Sequence, residues 1–160
     1  MRHKKLRVYL SGGMEYAKDE GLDWRNEMEG WIKEHLGHKV FTPNVESEKY
    51  LAKVIPNENF RLLKSTKIDI YLNIVQHFVQ EDSKEIAIRS DYVICYWDAS
   101  AQRGAGTKGE MTIAHYFKKP VYMVTNMSIE EIPGWVLGCT TKRFQTFEQL
   151  KLFLSKKYST

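Results

Sequence analysis

The chain has 160 residues, 42% of them hydrophobic and 28% charged, with a formal net charge of +4 at pH 7. This composition predicts one soluble domain over residues 1–160 with a sizeable core, and no apolar run approaches the ~20 residues of a membrane span. The Lys and Arg residues are scattered, so we expect a solvated surface that binds neither nucleic acid nor membrane, although the charge permits a small anionic partner.

Residues that bind metals or form disulfides are sparse. Cys95 and Cys139 lack CxxC spacing, and Cys95 lies in the apolar run YVICYW, which favours a buried thiol and a reducing cytoplasm. The five histidines form no HExxH or similar spacing, so we predict no metal site. The N-terminal segment MRHKKLRVYLSGG has an apolar part of only about six residues that alternates like a strand, so we expect no export signal.

The N-terminal half of the chain predicts two strands and two helical regions. In chain order these are a strand at 6–12 (LRVYLSG) that enters a glycine turn, a helix within 21–37, a strand at 38–43 (HKVFTP), an irregular polar segment at 44–57, and helix over 59–88. The first helix has a stop signal at Gly37, and Pro43 ends the second strand. The region 59–88 is one long helix or two helices with a break near Thr66.

The C-terminal half predicts three more strands. In chain order the segments are a buried strand at 90–98 (SDYVICYWD), a loop at 99–106, a helix at 107–117, a strand at 119–125, a loop at 132–139, a short strand at 141–145, and a final helix that opens with a capping spacing at Thr146. Strands that alternate with helices imply a parallel sheet with right-handed crossovers. We therefore predict a flavodoxin-like three-layer α/β/α fold whose five-stranded parallel sheet has the order 2-1-3-4-5.

Two loops of this fold are expected to form the ligand site. In such sheets ligands bind beyond the carboxyl ends of the strands, near the switch point between strands 1 and 3. That rule selects the loop after strand 1, residues 11–14, and the loop after strand 3, residues 98–106. Glu110 follows the second loop directly, and we expect it on the first turn of a helix whose start faces the cleft.

The sequence leaves two roles open for Glu110. Thr107 and Glu110 have the T-x-x-E spacing of a capping box, in which each side chain bonds a main-chain amide near the start of the helix. Alternatively, the helix dipole would keep a carboxylate here ionised, so that it could attack a sugar carbon as retaining glycosidases do. A second acid would then protonate the leaving group or order the substrate, and the candidates are Asp69, Asp82, Asp91 and Asp98.

Position along the chain separates some of these candidates. Asp98 ends strand 3 at the cleft, Asp82 lies late in the preceding helix, and Asp91, at the far end of the sheet, is expected to be structural. Tyr9 on strand 1 is either a core aromatic or a phenol that points into the cleft. Arg25 is either solvated or an anion clamp.

Together these residues resemble the nucleoside 2-deoxyribosyltransferase family, including its nucleotide N-glycosidase relatives. The resemblance runs from strand 1 to strand 4. It is carried by VYLSGG around Tyr9, by Asp82 ahead of Ser90-Asp91, by Asp98 followed by Arg103-Gly104 and GTKGE, and by Ala114 ahead of KPV.

The resemblance implies that Glu110 is the nucleophile that forms a glycosyl-enzyme ester, that Asp82 helps to protonate the base, and that Tyr9 positions Glu110 and the sugar. It implies a deoxynucleoside or its monophosphate as substrate, no metal or cofactor, and a cytoplasmic homo-oligomer. The two loops and the start of the following helix supply the expected substrate-binding residues, which are Ser11, Gly12, Gly13, Asp98, Arg103, Gly106 and Thr107.

Two positions depart from the family pattern. The turn after strand 1 reads Gly12-Gly13 where Gly-Pro is common, and Gly104 occupies the position of an aspartate that contacts the base in many transferases. If no acceptor base is held, water would take its place and the enzyme would be a hydrolase. The alternative from another class is a non-catalytic nucleotide-binding module, in which Glu110 only caps its helix and the loop glycines cradle a phosphate.

Overall fold

The computed structural model describes residues 5–158. The first four residues, which belong to the segment used to judge an export signal, and the last two residues of the chain lie outside this range. No helix within residues 5–158 is long and apolar enough to cross a membrane.

Five parallel strands form a sheet in the order β2-β1-β3-β4-β5. The strands are β1 (Arg7–Gly12), β2 (Lys39–Phe41), β3 (Tyr92–Tyr96), β4 (Val121–Val124) and β5 (Lys142–Phe144). Every pairing is parallel, and Tyr9 of β1 stands opposite Val93 of β3. The predicted flavodoxin-like fold and its strand order are confirmed.

Helices cover the connections between the strands. Within the described residues they are α1 (Leu22–His35), α2 (Pro43–Val54), α3 (Phe60–Thr66), α4 (Ile68–Lys84), α5 (Ala99–Arg103), α6 (Gly106–Tyr116), α7 (Gly134–Cys139) and α8 (Phe147–Tyr158). A π-helical turn, Glu85–Arg89, follows α4, and a 3-10 turn, Ile129–Glu131, precedes α7. The predicted break in the region 59–88 is confirmed at Lys67.

Three segments predicted to be irregular contain helices. Pro43 is the first residue of α2, a position where the missing N–H of proline has no helical partner to lose. Asp98 caps α5 in the loop predicted at 99–106, and Pro133 precedes α7 in the loop predicted at 132–139. These helices are short or polar, so their apolar periodicity is too weak to reveal them.

Two apolar clusters, one on each face of the sheet, form the main core. Helices α1 and α8 cover one face with residues such as Met28 and Leu150, and α6 and α7 cover the other with Met111 and Val136. The central strands β1 and β3 are buried on both faces, as the apolar run at 90–98 predicts. A third cluster joins α2, α3 and α4.

Polar contacts fix the amino end of the sheet, away from the cleft. The Arg7 guanidinium pairs with the buried Glu85 carboxylate. The Arg7 main-chain amide donates a hydrogen bond of 2.8 Å to Asp91. Asp91 therefore has the structural role that its position at the start of strand 3 predicts.

Candidate active site

A cavity of about 830 Å³ opens at the carboxyl ends of β1 and β3, within the ~300–1,000 Å³ typical of small-molecule sites. It lies between the loop after β1, helices α2 to α4, and the segment from α5 to α6. The third apolar cluster forms one wall, with Leu51, Phe60, Tyr71, Val75 and Phe78. The cavity therefore occupies the switch point of the sheet, as the topology rule predicts.

Close packing of the loop after β1 explains its second glycine. A Cβ on Gly13 would lie 2.0 Å from Ser100 Oγ and 2.8 Å from the Ala101 main-chain nitrogen. The loop thus packs directly on the start of α5, and only glycine fits there. Gly12 and Gly13 both line the cavity.

Gly13→Ala is expected to destabilise the fold by about 1–3 kcal/mol, because the added methyl group must displace the main chain of α5. The matched control is Gly30→Ala on α1, where a Cβ would meet no atom within 4 Å and helix propensity predicts a gain of roughly 0.5–1 kcal/mol. Denaturant unfolding of both variants measures the difference. If Gly13→Ala were as stable as Gly30→Ala, the close packing of the loop would be contradicted.

Glu110 lies on the second turn of α6 and does not belong to a capping box. Helix α6 begins at Gly106 after Ala105, and no side chain in the described part of the chain caps it. Thr107 lies inside the helix and is buried. The Ser11 hydroxyl donates a hydrogen bond of 3.3 Å to Glu110 Oε2. The capping interpretation is therefore wrong, and Glu110 lines the cavity instead.

Glu110 and Asp82 form a pair of carboxyl groups with raised pKa values. Asp82 projects from α4 and lines the same cavity; both side chains are only partly accessible. Burial, aided by the charge of Asp82, raises the pKa of Glu110 to about 8, and burial raises the pKa of Asp82 to about 7. The Tyr9 hydroxyl and the Arg25 charge oppose both shifts. Burial therefore favours the retention of a proton by the pair near neutral pH.

The direction of the Glu110 shift overturns one expectation. The sequence predicts that the helix dipole keeps this carboxylate ionised, but Glu110 is the fifth residue of α6. The dipole effect falls off within the first turn of a helix. Burial therefore dominates, and the pKa of Glu110 rises.

Of the two roles that the sequence leaves open, Tyr9 has that of a core aromatic: it does not line the cavity, although its hydroxyl lies near the two carboxyl groups. Its ring is fully buried in β1 and stacks on Phe41, with centroids 5.2 Å apart. Burial, together with the nearby negative charges of Glu110 and Asp82, raises the pKa of Tyr9 well above its usual value. Its hydroxyl completes no hydrogen bond of full geometry with any described residue. Tyr9 is therefore a neutral phenol, available to donate to whichever carboxylate is ionised.

Arg25 is neither solvated nor an anion clamp. Its side chain is fully buried. The guanidinium donates to the main-chain carbonyl oxygens of Leu10 at 3.2 Å, Gly12 at 2.9 Å and Gly21 at 3.0 Å. Arg25 thus ties the end of β1 to the start of α1.

The other predicted substrate-binding residues divide into two groups. Those that line the cavity are Gly12, Gly13, Gly106 and Thr107. Ser11 does not line it, because its side chain is fully buried and donates to Glu110. Asp98 and Arg103 do not line it: the Asp98 carboxylate accepts hydrogen bonds from Ser100 Oγ at 2.6 Å and the Ala101 amide at 3.0 Å, and the Arg103 guanidinium lies 4.1 Å from the centre of the Tyr16 ring. The geometry thus gives Asp98 a capping role and places Arg103 outside the cavity.

The charged residues at the rim of the cavity are not predicted from the sequence as part of the site. Glu20 forms a bidentate ion pair with Arg61, at 2.6 and 3.0 Å, and Glu15 pairs with Lys64 at 2.7 Å. These pairs link the loop after β1 to α3. The acidic lining residues are Glu15, Asp19, Glu20, Glu48, Asp82 and Glu110, against one basic lining residue, Arg61.

Residues 5–158 contain no group of three or more His, Cys, Asp or Glu side chains that could hold a metal ion. Cys95 and Cys139 are buried free thiols, and the Cys95 thiol lies 3.6 Å from Met111 Sδ. The prediction that Cys95 is a buried free thiol is confirmed.

Comparisons with family models and with curated proteins do not assign this chain to a family. No family model and no curated protein matches it. What the site can do is therefore inferred from its own residues.

Proposed function

We propose that this protein is an enzyme of the nucleoside 2-deoxyribosyltransferase type, which cleaves the N-glycosidic bond of a deoxynucleoside through a covalent sugar ester of Glu110. The observation that carries this proposal is that Glu110 and Asp82 line one cavity, where burial raises the pKa of both carboxyl groups. One ionised and one protonated carboxyl group are the nucleophile and the acid that such cleavage needs. The sequence resemblance supports the same assignment.

In the first half-reaction the Glu110 carboxylate attacks the anomeric carbon while Asp82 gives a proton to the departing base. The C–O ester bond forms as the C–N bond breaks, and the base leaves as a neutral molecule. Burial raises the pKa of both carboxyl groups, so the free protein retains a proton on the pair at neutral pH. The Tyr9 hydroxyl lies near both groups and can donate a hydrogen bond to the one that is ionised.

The second half-reaction decides between transfer and hydrolysis. A second base, deprotonated by Asp82, would attack the anomeric carbon, release Glu110 and form a new nucleoside. Water in the same place would give free deoxyribose. Gly104 lines the cavity without a side chain that could hold a base, and this favours the hydrolytic outcome.

The charge of the cavity favours an uncharged nucleoside over its monophosphate. Its one basic lining residue, Arg61, is already paired with Glu20. A phosphate would therefore meet like charges at the rim and find no unpaired lysine or arginine among the described lining residues. The aromatic wall of Phe60, Tyr71 and Phe78 suits the flat face of a base.

A substrate panel tests the function and its charge preference together. The purified protein is incubated with each deoxynucleoside and its monophosphate, with and without a second free base, and the products are separated by chromatography. We expect free base and deoxyribose from nucleosides, with kcat/KM at least about tenfold lower for the monophosphates, a difference of about 1.4 kcal/mol.

Three other results of this panel are informative. A new nucleoside would establish transfer within the same mechanism. Faster cleavage of monophosphates would contradict the argument from cavity charge. No product from any substrate, with ligands that still raise the Tm, would contradict the enzyme and support the nucleotide-binding module.

A further inference from the structure

Arg25 carries a positive charge into the interior of the protein. Of the lysines and arginines that the structure describes, only Arg25 is buried. Its hydrogen bonds go to main-chain carbonyl oxygens, including those of Leu10, Gly12 and Gly21. Carbonyl dipoles replace the lost water only in part, and burying an uncompensated charge is costly. A compensating negative charge is therefore expected nearby.

The carboxyl pair supplies that charge through space. Burial lowers the pKa of Arg25, and the Glu110 charge is the largest of the influences that oppose this shift. In turn, the Arg25 charge lowers the pKa values of Glu110 and Asp82. No salt bridge within residues 5–158 joins Arg25 to either carboxylate, so the interaction is coulombic across a buried interior, where salt screens weakly.

We propose that Arg25 is a positioning residue for the carboxyl pair: its hydrogen bonds to the carbonyl oxygens of Leu10 and Gly12 fix the end of β1, where the Ser11 hydroxyl donates to Glu110, and its buried charge favours an ionised carboxylate in the pair. This inference rests on the proposed function, since it gives Arg25 a part in the same reaction. A pair with two protons has no nucleophile, and a pair with none has no acid. Without a nearby cation, burial would favour the doubly protonated state.

The other titratable groups around Arg25 and the pair do not supply a second cation. They are Tyr9 on β1, Cys95 on β3, Asp19 in the loop after β1, and Glu81 and Glu85 near Asp82. Burial raises the pKa values of Tyr9 and Cys95, which keeps both neutral. Glu81 and Glu85 raise the pKa of Asp82, and main-chain amides, chiefly that of Asp23, lower the pKa of Asp19 and keep it negative.

Arg25→Met tests the charge, because it removes the guanidinium and keeps an apolar side chain of similar reach. The carboxyl pKa values should rise, which moves the acidic limb of the pH profile of kcat/KM up by about one unit and lowers kcat/KM at pH 7 about tenfold. Arg25→Lys keeps the positive charge but loses the planar guanidinium that bonds the main-chain carbonyls. We therefore expect the acidic limb of the pH profile to stay at the wild-type pH and kcat to fall. Arg143→Met, at an exposed position on β5, is the matched control and should change neither the pH profile nor kcat.

A titration of the carboxyl groups separates this inference from the proposed function. Carbon-13 NMR of labelled Glu and Asp side chains reports the pKa values of Glu110 and Asp82 in the folded protein and needs no turnover. If the pKa values of Glu110 and Asp82 are both higher in Arg25→Met than in the wild type, the inference is supported even if no substrate is cleaved. Unchanged titrations would overturn it and leave Arg25 a structural residue. If the Met variant does not fold, Arg25→Gln, which keeps an amide donor for the carbonyls, is titrated in the same way.

Discussion

Glu110→Gln is expected to lower kcat for N-glycosidic cleavage by on the order of 10³-fold or more while leaving the fold intact. An amide of the same shape can still accept the hydrogen bond from Ser11, but it cannot attack an anomeric carbon. Nucleoside binding should therefore survive the change. Rapid-quench single-turnover experiments followed by intact-protein mass spectrometry measure the effect: the wild type should carry a deoxyribosyl adduct on Glu110, and the variant should not.

Glu130→Gln provides the control for this experiment. Glu130 is exposed and lies in the 3-10 turn Ile129–Glu131, outside the residues that line the cavity. We expect this variant to turn over like the wild type. Undiminished turnover in Glu110→Gln would contradict the covalent mechanism, and loss of folding would show that Glu110 is needed for the structure.

The same Glu110→Gln variant should be more stable than the wild type at neutral and alkaline pH. The pKa of Glu110 is about 8 in the folded protein and near 4.5 ordinarily, so the folded state binds this proton more tightly. The stability that the proton contributes is complete below about pH 4.5 and is lost as the pH rises through about 8. The variant lacks this loss, so its advantage in unfolding free energy should grow to roughly 1–3 kcal/mol by pH 8. Denaturant titrations at pH 5 and pH 8 measure it, and a difference that does not change with pH would argue against a buried, ionisable Glu110.

The strand order and the place of the cavity can be predicted from sequence because local residues carry the patterns. The apolar run at 90–98 marks a strand covered on both faces, and its alternation with helices implies the parallel topology. Helix α2 is not predicted from such patterns, because the residues it buries, Pro43 and Asn44, form no apolar stripe. The cap at Asp98 could have been found, since aspartate is a preferred residue directly before a helix.

The electrostatics of the site depend on burial in the folded protein, which local patterns do not carry. Nothing in the sequence separates Arg25 from a solvated arginine, because its partners are main-chain carbonyls, which every residue has. The direction in which the pKa of Glu110 moves also depends on burial in the folded protein. A local interpretation considers the helix dipole and predicts a lower pKa, whereas the surrounding protein excludes water from the carboxyl group and raises it.

Asp82→Asn is expected to lower kcat/KM for deoxynucleosides by about 10²–10⁴-fold, the usual contribution of a general acid. The loss should depend on the leaving group, which separates the role of Asp82 from that of Glu110. A 2-deoxyribosyl substrate with a 4-nitrophenolate leaving group needs no proton from the enzyme, so its first half-reaction should proceed at nearly the wild-type rate. Glu110→Gln should abolish cleavage of both substrates. Single-turnover rates on the two substrates distinguish the acid from the nucleophile.

The pH profile of Asp82→Asn supplies an independent result. After burial, the charge of Asp82 is the largest influence that raises the pKa of Glu110. A neutral Asn should therefore lower the pKa of Glu110. In the pH profile for cleavage of the 4-nitrophenolate substrate, the acidic limb should then move to lower pH, opposite to the shift expected for Arg25→Met. Asp69→Asn is the control, because Asp69 is exposed on the first turn of the same helix and does not line the cavity. If Asp82→Asn cleaved both substrates equally poorly, Asp82 would bind the sugar, because an acid that protonates the base has no part in expelling 4-nitrophenolate.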